Sequence, residues 1–400
     1  MILKSNPAKN VFCCGSLLSH GILLLKKIKL YYKNAKNNLL TGVLQFMDIQ
    51  QKALEIINQA TSALPGSGIQ FCVFKDGKCI VNAFSGHASF DLSRKVNENT
   101  LFPIYSTSKS VPAAALTRLI EQRKVSPDQK VTDFWPEFGK LGKENTLVRH
   151  ILNHTSGFPQ RFKEQTSYEA ISDWNTMIHA IENTPCDWTP GTKTRYQSLS
   201  YGWLTAELIQ RITKMSFKEY IIKELNFKDD GGIVFGLNDE TEKIAAEFKL
   251  AENCEKSSSF SRCDPIDDLM QEPLIRRMVQ PGFNGFASAY GLASFMNDII
   301  TYKFFNRQSL LDATSIAYRP ETCKPSQEHK CFGYGFALSG PASDPGLNFG
   351  HGGYGGSEAV ATRDNGIACG FTSNVLCAHE NVKSELLGLV GIKLREGWEK

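Results

Sequence analysis

Residues 101–122 read LFPIYSTSKSVPAAALTRLIEQ, and the tetrad Ser106-Thr107-Ser108-Lys109 lies at their centre. The run before the tetrad is apolar and extended in character; the run after it carries Ala and Leu at helical spacing. A hydroxyl and an amine three residues apart at a strand-to-helix change lie on one helical face, within reach of each other. A serine hydroxyl is a weak nucleophile near neutral pH and needs an adjacent base, which a partly desolvated lysine can supply. The same spacing also arises on ordinary solvated helix faces, so the weight of the tetrad depends on what surrounds it.

Upstream, residues 49–63 have helical periodicity and end at Leu64-Pro65-Gly66. Two apolar strands follow, Ile69–Phe74 and Cys79–Phe84, joined through Asp76-Gly77, a hairpin signal. A helix followed by an antiparallel hairpin argues against a Rossmann-type opening. Downstream, helical segments are expected over Val111–Gln122, Val148–Leu152, Tyr168–Glu182, Tyr201–Thr213 and Phe217–Leu225. The serine-rich stretch Glu252–Asp267 reads as an exposed loop. A helix from about Tyr290 to Tyr302 leads to strands at Gly333–Leu338, Glu358–Arg363 and Ile367–Thr372, and Lys383–Leu394 closes the chain as a helix. The expected architecture is α/β (α+β): an antiparallel sheet flanked by N- and C-terminal helices, with an inserted all-helical subdomain. In residue numbers, the α/β lobe comes from about 47–105 and 285–400, and the helical lobe from about 106–284. A cleft between two such lobes is a usual place for a ligand.

Of 400 residues, 42% are hydrophobic and 22% charged, as in ordinary globular proteins, and the net charge is only +4. No Lys/Arg block with interleaved aromatics points to nucleic acid. The first 46 residues hold seven lysines, no arginine and no acid, and include the mixed apolar run Val11–Leu25. That run is shorter than the roughly 20 apolar residues of a membrane span. A signal or anchor, a mitochondrial-type presequence and an unstructured extension all fit it, so residues 1–46 are set aside as a leader or disordered extension before a 47–400 domain. Any membrane association is expected only through residues 11–25. The eleven cysteines lack CxxC or metal-type spacing and their number is odd. Free, partly buried thiols in a reducing compartment are the expectation, with an intracellular location, cytoplasmic or mitochondrial. Secretion or membrane anchoring through the leader is the other outcome.

Three more stretches belong with the tetrad: HILNHTSGF (150–158), WTPGTKTRYQSLSYGWL (188–204) and FGHGGYGGSEA (349–359). Together they resemble the serine β-lactamase and penicillin-binding-protein superfamily, in the branch with class C β-lactamases, D-aminopeptidases, family VIII-type esterases and animal β-lactamase-like proteins. The resemblance implies Ser106 as the acylated nucleophile, Lys109 as its proton partner and Tyr196 as general base or acid. It implies an oxyanion hole from the amides of Ser106 and Tyr354, with Gly352 and Gly353 allowing close backbone approach and no metal or other cofactor. Two positions depart from the family pattern: Ser198 stands where β-lactamases usually carry Asn, and His351 where they usually carry Lys. The loss of a fixed cation favours neutral ester, amide or lactone substrates over carboxylate-bearing lactams. His150 and His154 are expected to pack and hydrogen-bond near the cleft. The match of residues 350–355 to G-x-G-x-x-G has no βαβ unit around it, and G-x-S-x-G, HExxH and P-loop motifs are missing from the chain. The expected function is a metal-independent serine hydrolase acting on a small-molecule ester or amide; a catalytically silent scaffold of the same fold is the alternative.

Overall fold

The computed structural model describes residues 48–159, 167–228, 232–252, 254, 269–315, 331–341 and 343–394. The chain divides into two compact units, Met1–Ile49 and Gln50–Lys400. The expected leader and its apolar run, and nearly all of the expected 252–267 loop, lie outside the described residues. Among the described residues no helix is long and apolar enough to cross a membrane.

Helix α1 covers residues 48–63. Strands β1 (Gly68–Lys75) and β2 (Lys78–Gly86) form the expected hairpin, with Asp76 and Gly77 both at positive φ. Such dihedrals match the right-handed twist of the two strands. The partners of β1 on its other side come from the far end of the chain. Strand β11 (Ile367–Ser373) runs antiparallel to it, Ile69 opposite Ser373 and Lys75 opposite Ile367. With β7 (Cys331–Phe332), β8 (Ala337–Leu338), β9 (Asn348–Gly352) and β10 (Glu358–Thr362), these strands make a seven-stranded sheet, in the order β2-β1-β11-β10-β9-β8-β7. Every neighbouring pair is antiparallel. At the edge strand β2 the Asn82 amide donates to Gln50 Oε1 of α1 at 2.9 Å, which occupies one backbone donor of that edge.

The inserted lobe holds α2 (Ser110–Glu121), α3 (Val148–Leu152), α4 (Tyr168–Ser172), α5 (Trp174–Glu182), α6 (Ser200–Thr213), α7 (Phe217–Glu224), α8 (Asp239–Ile244) and α9 (Pro273–Arg277). Among the described residues its strands are the two-residue β4 (Ile233–Val234) and β5 (Lys249–Leu250). The first pairs with β6 (Phe286–Ala287), which also pairs with β3 (Phe102–Pro103); the second pairs in parallel with β12 (Val375–Leu376). Helix α10 (Ala289–Ile300) packs on the sheet, α11 (Arg307–Ala313) follows, and α12 (Glu380–Gly388) is the last element among the described residues.

Helix α2 is apolar almost all round, and Val111, Ala113, Ala114, Ala115, Leu116 and Leu119 are fully buried. A helix of that kind belongs inside a core. It lies between the sheet-side residues Phe336, Phe349 and Ala359 and the helical residues Ala206, Ile209 and Phe217. A second core fills the helical lobe around Trp135, Phe138, Ile151 and Trp203.

Three expectations are corrected in detail. The single helix expected over Tyr168–Glu182 breaks at Asp173, which ends α4 and caps α5 by accepting from the Thr176 amide at 2.7 Å. The single strand expected over Gly333–Leu338 is two short strands, β7 and β8, around a turn in which Gly335 has φ +85°, a left-handed value that costs glycine least. The closing helix begins at Glu380 and ends at Gly388, ahead of the expected Leu394.

Candidate active site

The seam between the two cores runs through the stretch quoted first. Ile104 belongs to the sheet-side core and Tyr105 to the helical-lobe core, so Ser106 leaves the chain where the lobes meet. Residues Tyr105–Lys109 form a turn of 3₁₀-helix, and α2 starts directly behind it. Tyr105 has φ +43°, a left-handed conformation that costs a non-glycine residue on the order of 1–3 kcal/mol. Tertiary packing holds it there. Its ring is fully buried, edge-on to Phe248 at 6.5 Å and to Tyr354 at 5.5 Å.

Lys109 is wholly buried, yet its ammonium is well served. Nζ donates to Ser106 Oγ at 3.0 Å, to the Ser198 carbonyl at 2.7 Å and to the Gly282 carbonyl at 2.5 Å. Three acceptors match the three hydrogens of an ammonium, which compensates for burying the charge. If the amine loses a proton, the two carbonyls still hold two N–H groups, and the free lone pair faces Ser106. The lysine is thereby aimed at the hydroxyl in both states.

Tyr196, from the loop leading into α6, is hydrogen-bonded to the Ser106 side chain. Its ring lies 5.1 Å from Lys109 Nζ, stacks on Phe332 with an interplanar angle of 10°, and is flanked by His154 at 4.9 Å. Burial pushes the phenol well above its usual range, and the bond with Ser106 opposes that only in part. The resting group is therefore a phenol and not a phenolate. Its oxygen is 3.5 Å from His351 Nε2, while His351 Nδ1 lies 2.6 Å from the Gly352 carbonyl. A carbonyl can only accept, so Nδ1 carries a hydrogen and, in the neutral ring, Nε2 is the acceptor. One directed chain satisfies all of these contacts: Lys109 donates to Ser106, Ser106 to Tyr196, Tyr196 to His351, and His351 to Gly352.

His351 stands within β9, opposite Ala359. The Gly-rich turn follows it and lies against the Ser106 turn. Ser357 Oγ donates to the Ile104 carbonyl at 2.8 Å, and Thr107 Oγ1 is 3.1 Å from Ser357 Oγ. At Gly353 a Cβ would come within 2.2 Å of the Ile104 oxygen and within 2.2 Å of Ser357 Oγ. Only glycine lets the two turns approach this closely, which keeps the backbone of residues 352–354 beside Ser106.

The remaining expected residues take more modest places. Ser198 serves Lys109 through its carbonyl, while its buried Oγ makes no hydrogen bond among the described residues. His154 accepts from the Gln197 amide at 3.2 Å through Nδ1, which fixes its ring beside Tyr196. His150 accepts from the Leu147 amide at the start of α3, and burial, more than the nearby Arg149, holds it neutral, with a pKa of about 4. Gly282, Ser357, Thr107 and Phe332 were not singled out in the sequence. Among the described residues no group of three or more His, Cys, Asp or Glu side chains is placed to hold a metal. Cavities of about 530 Å³ beside Tyr290 and about 600 Å³ beside Arg94 are not lined by Ser106, Lys109 or Tyr196.

A family model described as Beta-lactamase matches residues 57–385. The chain belongs to the beta-lactamase family. The resemblance seen in the sequence, to the serine β-lactamase and penicillin-binding-protein superfamily, is thereby borne out, and so is the expected fold class. Among solved structures, this beta-lactamase-family chain is similar to a penicillin-binding protein homolog from Caulobacter crescentus, with a TM-score of 0.69 and 21% identity over 86% of this chain and 97% of that one. It is also similar to a family VIII carboxylesterase, with a TM-score of 0.71 and 20% identity over 84% of this chain and 97% of that one. In sequence it matches Protein flp of Staphylococcus aureus, 26% identical over 162 residues, 40% of this chain. The match spans about a third of the length of that relative, 32%.

Proposed function

We propose that the protein is a serine hydrolase that works through an acyl-enzyme on small ester, amide or lactone substrates. The observation that carries this reading is the contact of Ser106 with both Lys109 and Tyr196 at the lobe seam. Ser106 Oγ attacks the substrate carbonyl. Its proton passes through Lys109 and Tyr196 to the leaving group, so the tetrahedral intermediate collapses to an ester on Ser106. In the second half-reaction water takes the place of the leaving group, and the same pair takes its proton and returns one to Ser106. The oxyanion sits on the amides of Ser106 and Tyr354, which need to be aimed before the charge develops.

His351 tilts the choice of substrate. An imidazole engaged with Tyr196 carries charge only conditionally and offers no fixed cation for a substrate carboxylate, unlike the lysine usual in β-lactamases. Neutral esters are therefore favoured, in keeping with the likeness to a carboxylesterase. The deciding experiment treats the intact protein with a fluorophosphonate probe, maps the modified residue, and measures turnover of a chromogenic short ester. Labelling at Ser106 that vanishes with turnover in Ser106→Ala is the expected result. Turnover that survives the substitution, or label on another residue, overturns the assignment.

A further inference from the structure

We propose that Cys72 and Cys79 form a dithiol that a hydroperoxide oxidises to a disulfide, a modification site on the edge hairpin that does not involve Ser106. Cys72 lies on β1 and is fully buried; Cys79 lies at the start of β2 and is exposed. Their sulfurs are 3.8 Å apart. The register of the two strands slips between Val73 and Phe74, so Cys79 pairs with Phe74 and Ile80 becomes the extra residue. A bulge of this kind re-aims a side chain, and here it turns Cys79 towards Cys72. The gap must close to about 2.05 Å for a disulfide.

The two thiols are unequal, as an attacking and a resolving cysteine need to be. The hydrogen bond with Cys72 lowers the Cys79 thiol below its ordinary range, while burial raises Cys72, so Cys79 ionises first. The exposed Cys79 thiolate attacks one peroxide oxygen; the O–O bond breaks, and Cys79 becomes a sulfenic acid as the other oxygen leaves protonated. The Cys72 sulfur then attacks Cys79 Sγ; the S–S bond forms, the S–O bond breaks, and the hydroxyl leaves as water with the Cys72 proton. Two thiols are oxidised, and hydrogen peroxide is reduced to two molecules of water.

The test uses the full chain and exploits Lys75 and Lys78, which lie between the two cysteines. After a stoichiometric dose of hydrogen peroxide, alkylation and trypsin digestion, residues 53–75 are expected linked to residues 79–94, lighter by two hydrogens and separated again by dithiothreitol. Cys72→Ser leaves a Cys79 sulfenic acid that dimedone traps, and the surface variant Cys79→Ser leaves Cys72 fully alkylatable after denaturation. The proposal falls if peroxide carries Cys79 on to sulfinic acid without a linked peptide, if Cys79 links to a different cysteine, or if both thiols remain alkylatable.

Discussion

Tyr196 is held by its ring, while the proposed mechanism uses its hydroxyl, and the two can be separated. Phe332 stacks on one side of the ring and His154 closes another, while the oxygen alone reaches Ser106 and His351. Tyr196→Phe keeps the packing and removes the proposed proton path. Turnover of a short ester is expected to fall about 10²–10⁴-fold, the usual worth of a positioned acid–base group, with KM and the thermal midpoint nearly unchanged. A variant as fast as the parent would remove Tyr196 from the chemistry. The side chains of this constellation were legible in the sequence because each sits in a short local pattern. The other half of the lysine's surroundings was not. The Ser198 and Gly282 carbonyls carry no signature, since every residue owns a carbonyl, and Gly282 stands 173 positions from Lys109. Ser198 was singled out for standing where β-lactamases usually carry Asn, whereas the contact it supplies to Lys109 is from its backbone.

The Gly-rich turn shows the same division one level up. Its glycines could be read from sequence as places of close approach, but what approaches them could not, because β9, β10 and the Ser106 turn meet only in the folded sheet. Gly353→Ala puts a methyl group 2.2 Å from the Ile104 oxygen and forces the turns apart. Overpacking of this sort costs about 1–3 kcal/mol. Displacing an oxyanion donor costs on the order of 10²–10³ in rate. The expected signature is a moderately lowered melting temperature, unchanged far-ultraviolet circular dichroism and at least a hundredfold loss of ester turnover; near-parental turnover would show that the turn does not shape the site. The hairpin over residues 331–338 and the break at Asp173 were missed for a related reason. Periodicity reports which residues are apolar, and a tight turn or a one-residue cap inside an apolar run barely alters it.

Across the molecule, the largest departure from the sequence reading concerns sulfur. Eleven scattered cysteines suggested free thiols, yet Cys254 and Cys377 are joined as a disulfide, while Cys72, Cys79, Cys186 and Cys369 keep free thiols. The pair is separated by 123 positions, too far for local spacing to announce it. Only the fold brings the partners together, through the parallel pairing of β5 with β12 just ahead of each cysteine. The bridge also bears on the site, because the Cys377 amide donates to the Gly355 carbonyl at 2.9 Å and so ties the Gly-rich turn to the cross-linked segment. Closing so long a loop restricts the unfolded chain, and such bridges are worth about 2–4 kcal/mol. Cys377→Ser is therefore expected to lower the unfolding free energy by about that amount in non-reducing buffer. Dithiothreitol should bring the parent down to the variant and leave the variant itself unmoved, which separates loss of the cross-link from damage by the substitution. Equal denaturation midpoints for parent and variant without reductant would mean that the bridge does not form in solution, and the β5–β12 pairing would then hold this segment without a covalent link.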